Sequence, residues 1–156
     1  MHNEEFKEAV GKFPTGITVI STSYDGKLWG FTANSFVSVS LTPPLVSFCL
    51  NKESGSFKAF NETEHFAINI LASEQVGTSK HFAHKGVDKF LNIQHEISDL
   101  FGDPLISGAV CSIECTKYKQ FECGDHVIFV GEVVRTEINQ SKSPLLYFAK
   151  SYKEIQ

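Results

Sequence analysis

Gly30-Phe31-Thr32-Ala33-Asn34-Ser35-Phe36-Val37-Ser38-Val39-Ser40-Leu41-Thr42-Pro43-Pro44-Leu45-Val46 is the stretch whose reading decides the fold. It reads as one extended strand, a proline-marked turn and a second buried strand, because β-branched and aromatic residues alternate with small polar ones until two prolines stop the pattern. Thr32, Asn34 and Ser35 put hydroxyl and amide groups among the apolar residues, where they can serve an anionic or heterocyclic ligand.

The same rhythm continues on both sides. Ile17 to Thr22 is rich in β-branched residues, and Asp25-Gly26 is a strong hairpin turn, so the residues from Lys27 onward pair back. Leu45 to Leu50 and Phe66 to Leu71 read as short buried strands. Ala109 to Tyr118 alternates, with Cys111, Ile113 and Cys115 on one side and Ser112, Glu114 and Thr116 on the other. Gly124-Asp125 suits a two-residue turn, and His126 to Thr136 is its return strand, apolar on both faces. A strand covered on both faces in so small a fold points to a second subunit over one of them. Leu145 to Phe148 is a last strand. Helices are few. Asn3 caps one that carries Phe6 and Val10 on one face, Ser54-Gly55-Ser56 opens a short one, and Ser73 starts one running to about Ala83. His84 to Gly102 reads as loop. The sum is a mainly β fold, a barrel with a few peripheral helices, in a single domain over 1–156.

Composition excludes several roles. The chain has 156 residues and a formal net charge of -4, with no run of Lys or Arg longer than two. That leaves no basic stripe for nucleic acid. No apolar run is long enough for a membrane helix, and the acidic, polar start Met1-His2-Asn3-Glu4-Glu5 is unlike a secretory signal. The expected location is cytoplasmic, with Cys49, Cys111, Cys115 and Cys123 as free thiols. The 14 Phe against 1 Trp suit either a Phe-rich core or a flat aromatic ligand.

The chemical motifs narrow the field by what is missing. No two glycines stand one residue apart, so the glycine-rich dinucleotide turn is excluded, as are a P-loop and a nucleophile elbow. A phosphate must instead be held by hydroxyls and main-chain N–H groups. Thr32, Asn34 and Ser35 form one donor set; Ser54 and Ser56 with Lys52 form another, and Ser54 or Ser56 can equally be a plain helix cap. His126 opens a strand after a tight turn, where an imidazole can stack on or hydrogen-bond a flat ring. Cys111, Cys115, Cys123 and His126 are zinc-ligand types, but four residues along a strand separate Cys111 from Cys115 by ~13 Å, too far for one ion.

Taken in order, Phe13-Pro14-Thr15-Gly16-Ile17-Thr18-Val19, Thr32 to Phe36, Ser38 to Leu41, Pro43 to Val46, Phe66 to Leu71, Gly124-Asp125-His126 and Gly131-Glu132-Val133-Val134 resemble the short flavin reductases of the FMN-binding split-barrel superfamily. The resemblance runs from Phe6 to Tyr152. It implies a Greek-key split β-barrel, a homodimer, a bound FMN or FAD, and NADH or NADPH as hydride donor, with a partner oxygenase as the consumer of reduced flavin. It also implies roles. Thr32, Ala33, Asn34 and Ser35 line the ring and ribityl chain; Cys49, Leu50, Asn51 and Lys52, with Ser54 and Ser56, follow the ring edge and phosphate. Pro14, Thr15 and Gly16 border the ring, Lys89 and Phe90 approach flavin and nicotinamide, and His126 meets the nicotinamide. Glu53 departs from the family's usual pair of serines after the lysine. A non-catalytic flavin-binding or electron-transfer protein on the same barrel, or a ligand-free barrel, are the alternatives.

Overall fold

A computed structural model describes residues 1–86 and 88–156. In chain order the elements are α1 (Asn3–Val10), β1 (Thr15–Gly16), β2 (Thr18–Tyr24), β3 (Lys27–Ala33), β4 (Val37–Leu41), β5 (Pro44–Asn51), α2 (Phe57–Glu62), β6 (His65–Ile70), α3 (Val76–Ala83), β7 (His95–Ile97), β8 (Pro104–Ile106), β9 (Cys111–Cys123), β10 (His126–Ile138), β11 (Leu145–Phe148) and β12 (Ser151–Glu154). Half of the chain is strand. No helix among the described residues is long and apolar enough to cross a membrane.

Both turn readings hold. Asp25 and Gly26 have φ of 52° and 72° between the paired Tyr24 and Lys27, as a type I′ hairpin requires. Gly124, at φ 62°, opens the two-residue loop between Cys123 and His126.

Seven antiparallel strands form the main sheet in the order β3-β2-β6-β9-β10-β5-β4. This order corrects the reading of the residues before the prolines as one extended strand, while the second strand after them stands as β5. β3 and β4 lie at opposite edges, joined only by Asn34, Ser35 and Phe36. A flat sheet would set those edges about 29 Å apart, at about 4.8 Å per gap. Four Cα steps, from Ala33 to Val37, reach at most about 14 Å. The sheet must therefore curl until its edges approach. The strand breaks at Ser35 because its hydroxyl takes the backbone of Cys49 on β5 as partner in place of continuing the ladder.

The core explains the phenylalanines. Phe48 sits amid Phe31 (5.8 Å between centroids), Phe60 (5.8 Å), Phe66 (4.9 Å) and Phe129 (5.2 Å). A second cluster, with Phe82, Phe90, Leu71 and Val19, lies under α3. By contrast α1 buries nothing; Phe6, Val10 and Phe13 are exposed. Its capping residue is His2, not Asn3, and α3 begins after Gln75 rather than at Ser73. The Gln75 carboxamide oxygen accepts from Ala72 N–H, holding the entry to α3.

One further expectation, the loop from His84 to Gly102, is corrected through Glu114, a charged residue that is buried in β9. Arg135 Nε donates to Glu114 Oε2 at 2.6 Å and the Ser98 hydroxyl donates to Oε1. The cover comes from the segment read as loop, which contains β7 paired with β8. Arg135 also reaches Ser98 and Asp99, tying that segment to the barrel.

His65, which no sequence motif singles out, binds the fully buried Asp103 through Nδ1 at 2.8 and 2.9 Å and stacks on Phe101. Burial pushes the Asp103 carboxyl above the usual range, against the pull of His65 and of Ser23. A raised carboxyl favours the fold below the ordinary carboxylate range, and this contribution is lost as pH rises through the raised value. His65→Ala removes the hydrogen bond that opposes burial at the carboxylate, so burial raises it further. The variant is expected to lose about 1–3 kcal/mol relative to the parent near pH 7.5, and much less near pH 4.5. Urea midpoints at the two pH values measure this; an equal loss at both discards the account.

Candidate active site

The candidate residues fall on a strip that starts beside β1 and ends at the β9–β10 turn. At its start, Thr15 and Gly16 pair with Tyr147 and Leu146 of β11. Gly16 has open space where a side chain would stand, and Pro14 is exposed. The hydroxyl of Thr15 is buried without a hydrogen-bond partner among the described residues.

Next comes the barrel junction. Thr18 donates to the carbonyl of Ala33 at 2.8 Å, and Thr32 donates to the carbonyl of Ser79 on α3 at 2.6 Å. Ser35 Oγ accepts from Cys49 N–H at 2.9 Å. The hydroxyl protons of Thr32 and Ser35 are thus directed at backbone carbonyls, and their job is to anchor α3 and β5. Asn34 is exposed and makes no side-chain hydrogen bond among the described residues, so its amide is the junction's free donor.

From the junction β5 carries the strip through Cys49 and Leu50 to Asn51. Leu50 is a core residue, Cys49 is half-buried, and burial pushes the Cys49 thiol up. Asn51 stands opposite His126, which in turn stands opposite Cys123. The turn holds this rim together. Lys52 N–H donates to Asp125 O at 3.0 Å, and Asn51 Oδ1 accepts from Glu53 N–H at 2.8 Å. His126 Nδ1 lies 2.7 Å from Asp125 Oδ1, and this hydrogen bond holds the Asp125 carboxyl below its usual range. With Nδ1 engaged by the carboxylate, Nε2 makes no hydrogen bond among the described residues.

Beyond the rim, Ser54 Oγ accepts from Ser56 N–H at 3.2 Å while its own proton stays available. Ser56 itself is buried at the start of α2 and makes no capping bond. On the α3 side, Lys89 Nζ donates to the carbonyls of Phe82 (3.1 Å) and Gly30 (3.3 Å), and burial draws its pKa down. Phe90 is a core residue packed on Phe82 and under Gly30, where it forms a wall and not an exposed surface.

The structure therefore brings Asn34, Cys49, Asn51, Lys52, Ser54 and His126 along one open strip, and gives Thr32, Ser35, Ser56, Leu50 and Phe90 to the scaffold. Two concavities, of about 500 Å³ between α1 and the Ala149–Lys150 turn and about 190 Å³ beside β8 and β9, contain none of the strip. One residue escaped the sequence reading. Glu122 Oε1 lies 3.4 Å from Lys52 Nζ. Counting back through the Gly124-Asp125 turn places it one pair from the rim, a signal the sequence does contain.

Residues 10–156 match the family described as the flavin reductase like domain. A flavin reductase of Pseudomonas putida is 36% identical over 148 residues, covering 94% of this chain and 86% of the relative. An NADH-dependent FAD reductase of Streptomyces globisporus is 39% identical over 155 residues, covering 97% and 85%. The structure of a Streptomyces globisporus NADH:FAD oxidoreductase, in complex with NAD and FAD fragments, superposes with a TM-score of 0.95 at 34% identity, over 98% of this chain and 92% of that one. With its curled seven-stranded sheet and a match of that length, the chain belongs to the flavin reductase family and has its split-barrel fold.

Proposed function

We propose that the protein is an NAD(P)H:flavin oxidoreductase that reduces FMN or FAD and supplies a partner monooxygenase. The observation that carries this reading is the donor set along the open strip, which needs no glycine loop and whose one thiol, Cys49, is pushed up by burial rather than activated. It fits a flavin: the exposed amide of Asn34, the amide of Asn51, Lys52 and the free proton of Ser54 are spaced along a strand edge, and the partnerless Thr15 hydroxyl stands beside open space at Gly16. When both nucleotides are bound, the nicotinamide supplies hydride and the flavin ring accepts it at N5; no acid or base from the protein is required for that transfer. The chain's part is orientation and exclusion of water. Thr32, Ser35 and Lys89 lock the walls through backbone carbonyls and N–H groups. His126, aligned by Asp125, presents Nε2 to the carboxamide of the nicotinamide. NADH is the donor we favour, because the NADH-dependent FAD reductase of Streptomyces globisporus matches over almost the whole chain.

The functional unit in this reading is a homodimer. β4 exposes Val37, Val39 and Leu41, and β9 and β10 expose Phe121, Val134 and Ile138. A second copy over that surface would wall the strip, and light scattering should give twice the 17.4 kDa chain mass. The decisive assay is NADH oxidation at 340 nm with and without FMN or FAD. Oxidation that depends on added flavin, or on flavin that copurifies, supports the reading. A colourless protein that leaves NADH untouched in millimolar FMN ends it.

His126→Ala is expected to raise the KM for NADH about tenfold, the loss of one hydrogen bond to a ligand, while the flavin Kd moves less than twofold. Steady-state kinetics beside a flavin titration checks this. Equal loss of both would place His126 elsewhere.

A further inference from the structure

The phosphate end of the proposed flavin site is internally neutralised. Lys52 is the cation read at that end, and its ammonium is already engaged by Glu122 at 3.4 Å. Glu53 is exposed next to it in the chain, and Asp125 lies close enough for the lysine to help hold its carboxyl low. Glu122 is thus the carboxylate paired with Lys52, while Asp125 is held by His126. An arriving phosphate of about two negative charges must displace Glu122 to reach the Lys52 ammonium. An uncharged ribityl end meets no such cost.

We propose that Glu122 is a specificity-determining residue: by occupying Lys52 it cancels the attraction for a flavin phosphate, so that the site takes riboflavin nearly as well as FMN. This rests on the reading that Lys52 faces the phosphate end of the flavin. It gives the site breadth toward flavins and keeps the flavin exchangeable, which suits a protein that hands reduced flavin on. Glu122 is 82% exposed, so its pairing with Lys52 competes with water and can be displaced.

Fluorescence quenching of riboflavin and FMN by the full chain tests this without turnover. The parent is expected to bind the two within about threefold of each other. Glu122→Gln should tighten FMN by about threefold to fivefold, the scale of one exposed ion pair, and leave riboflavin within twofold. Glu122→Ala repeats the test without the amide. Lys52→Met should weaken FMN and spare riboflavin. An FMN affinity that Glu122→Gln leaves unchanged, a shift shared by both flavins, or a parent preferring FMN more than tenfold overturns the proposal, while flavin-dependent NADH oxidation would stand. A protein that binds neither flavin and oxidises no NADH overturns the proposed function itself, and this inference with it.

Discussion

Asn69→Asp is expected to cost at least about 3 kcal/mol of folding stability, although the two side chains have almost the same shape. Asn69 is fully buried in β6, and all its hydrogen-bonding capacity is used. Its Nδ2 donates to Val19 O at 2.9 Å and to Ser21 Oγ at 3.0 Å. Its Oδ1 accepts from Ile106 N–H at 2.9 Å and from the Ser112 hydroxyl at 3.4 Å. One amide thereby joins β2, β8 and β9. Aspartate would point an acceptor at the Val19 carbonyl and bury a charge beside it. With total stabilities of about 5–15 kcal/mol, such a loss is a large fraction of the whole. The carboxyl of the variant would be raised by burial, so the penalty should shrink as pH falls and the group becomes neutral. Urea unfolding at pH 7.5 and pH 4.5 measures both. A loss below about 1 kcal/mol at pH 7.5 would show that the amide is replaceable. Ser112→Ala, which removes only the longest of the bonds, should have little effect.

Gly131→Ala is expected to cost about 1–3 kcal/mol, the range for an overpacked core, and Gly131→Val more. A Cβ at this position would stand 2.4 Å from Phe66 Cζ, 2.8 Å from Cys115 Cβ and 3.0 Å from Phe66 Cε2. The Phe66 ring has little freedom to retreat, since it is buried edge-on against Phe48 at 4.9 Å. Cys115 Cβ is attached directly to the β9 backbone, which is paired on both sides. The ladder already shifts register between Val130 and Gly131. The melting temperature should fall by several degrees, at roughly 2–4 °C per kcal/mol for a chain of this size. Gly16→Ala and Gly55→Ala, at sites with open space, are the controls for stability. A Gly131→Ala protein that melts with the parent would mean that β9 and Phe66 yield freely.

Both residues show where legibility stops. Asn69 and Gly131 lie within runs that the sequence marks as strand and as family-like. Neither run reveals that the amide spans three other elements, or that the glycine lies against a ring. These facts depend on strands far apart in the chain lying side by side. The same holds for Glu114, whose side of an alternating strand does not reveal that a segment without strong periodicity folds over it. In the candidate site, the hydroxyls of Thr32 and Ser35 could be named from the sequence as donors. Their commitment to Ser79 and Cys49 could not, because residue type fixes how many bonds a group can make and not which partner arrives.

Local chemistry alone was enough for the turns at Asp25-Gly26 and Gly124-Asp125, the buried strands, and the small donors near Asn34 and Lys52. Backbone sterics and side-chain period act over a few residues, and those features need no more. Tertiary structure alone decided that the stretch from Gly30 to Val46 crosses between opposite edges of one sheet, that Glu122 reaches Lys52, and that three of the five candidate hydroxyls, those of Thr32, Ser35 and Ser56, are turned to the scaffold. Those outcomes follow from closing the sheet. Three linking residues can join its two edges only when it curls, and the curl chooses which distant groups meet.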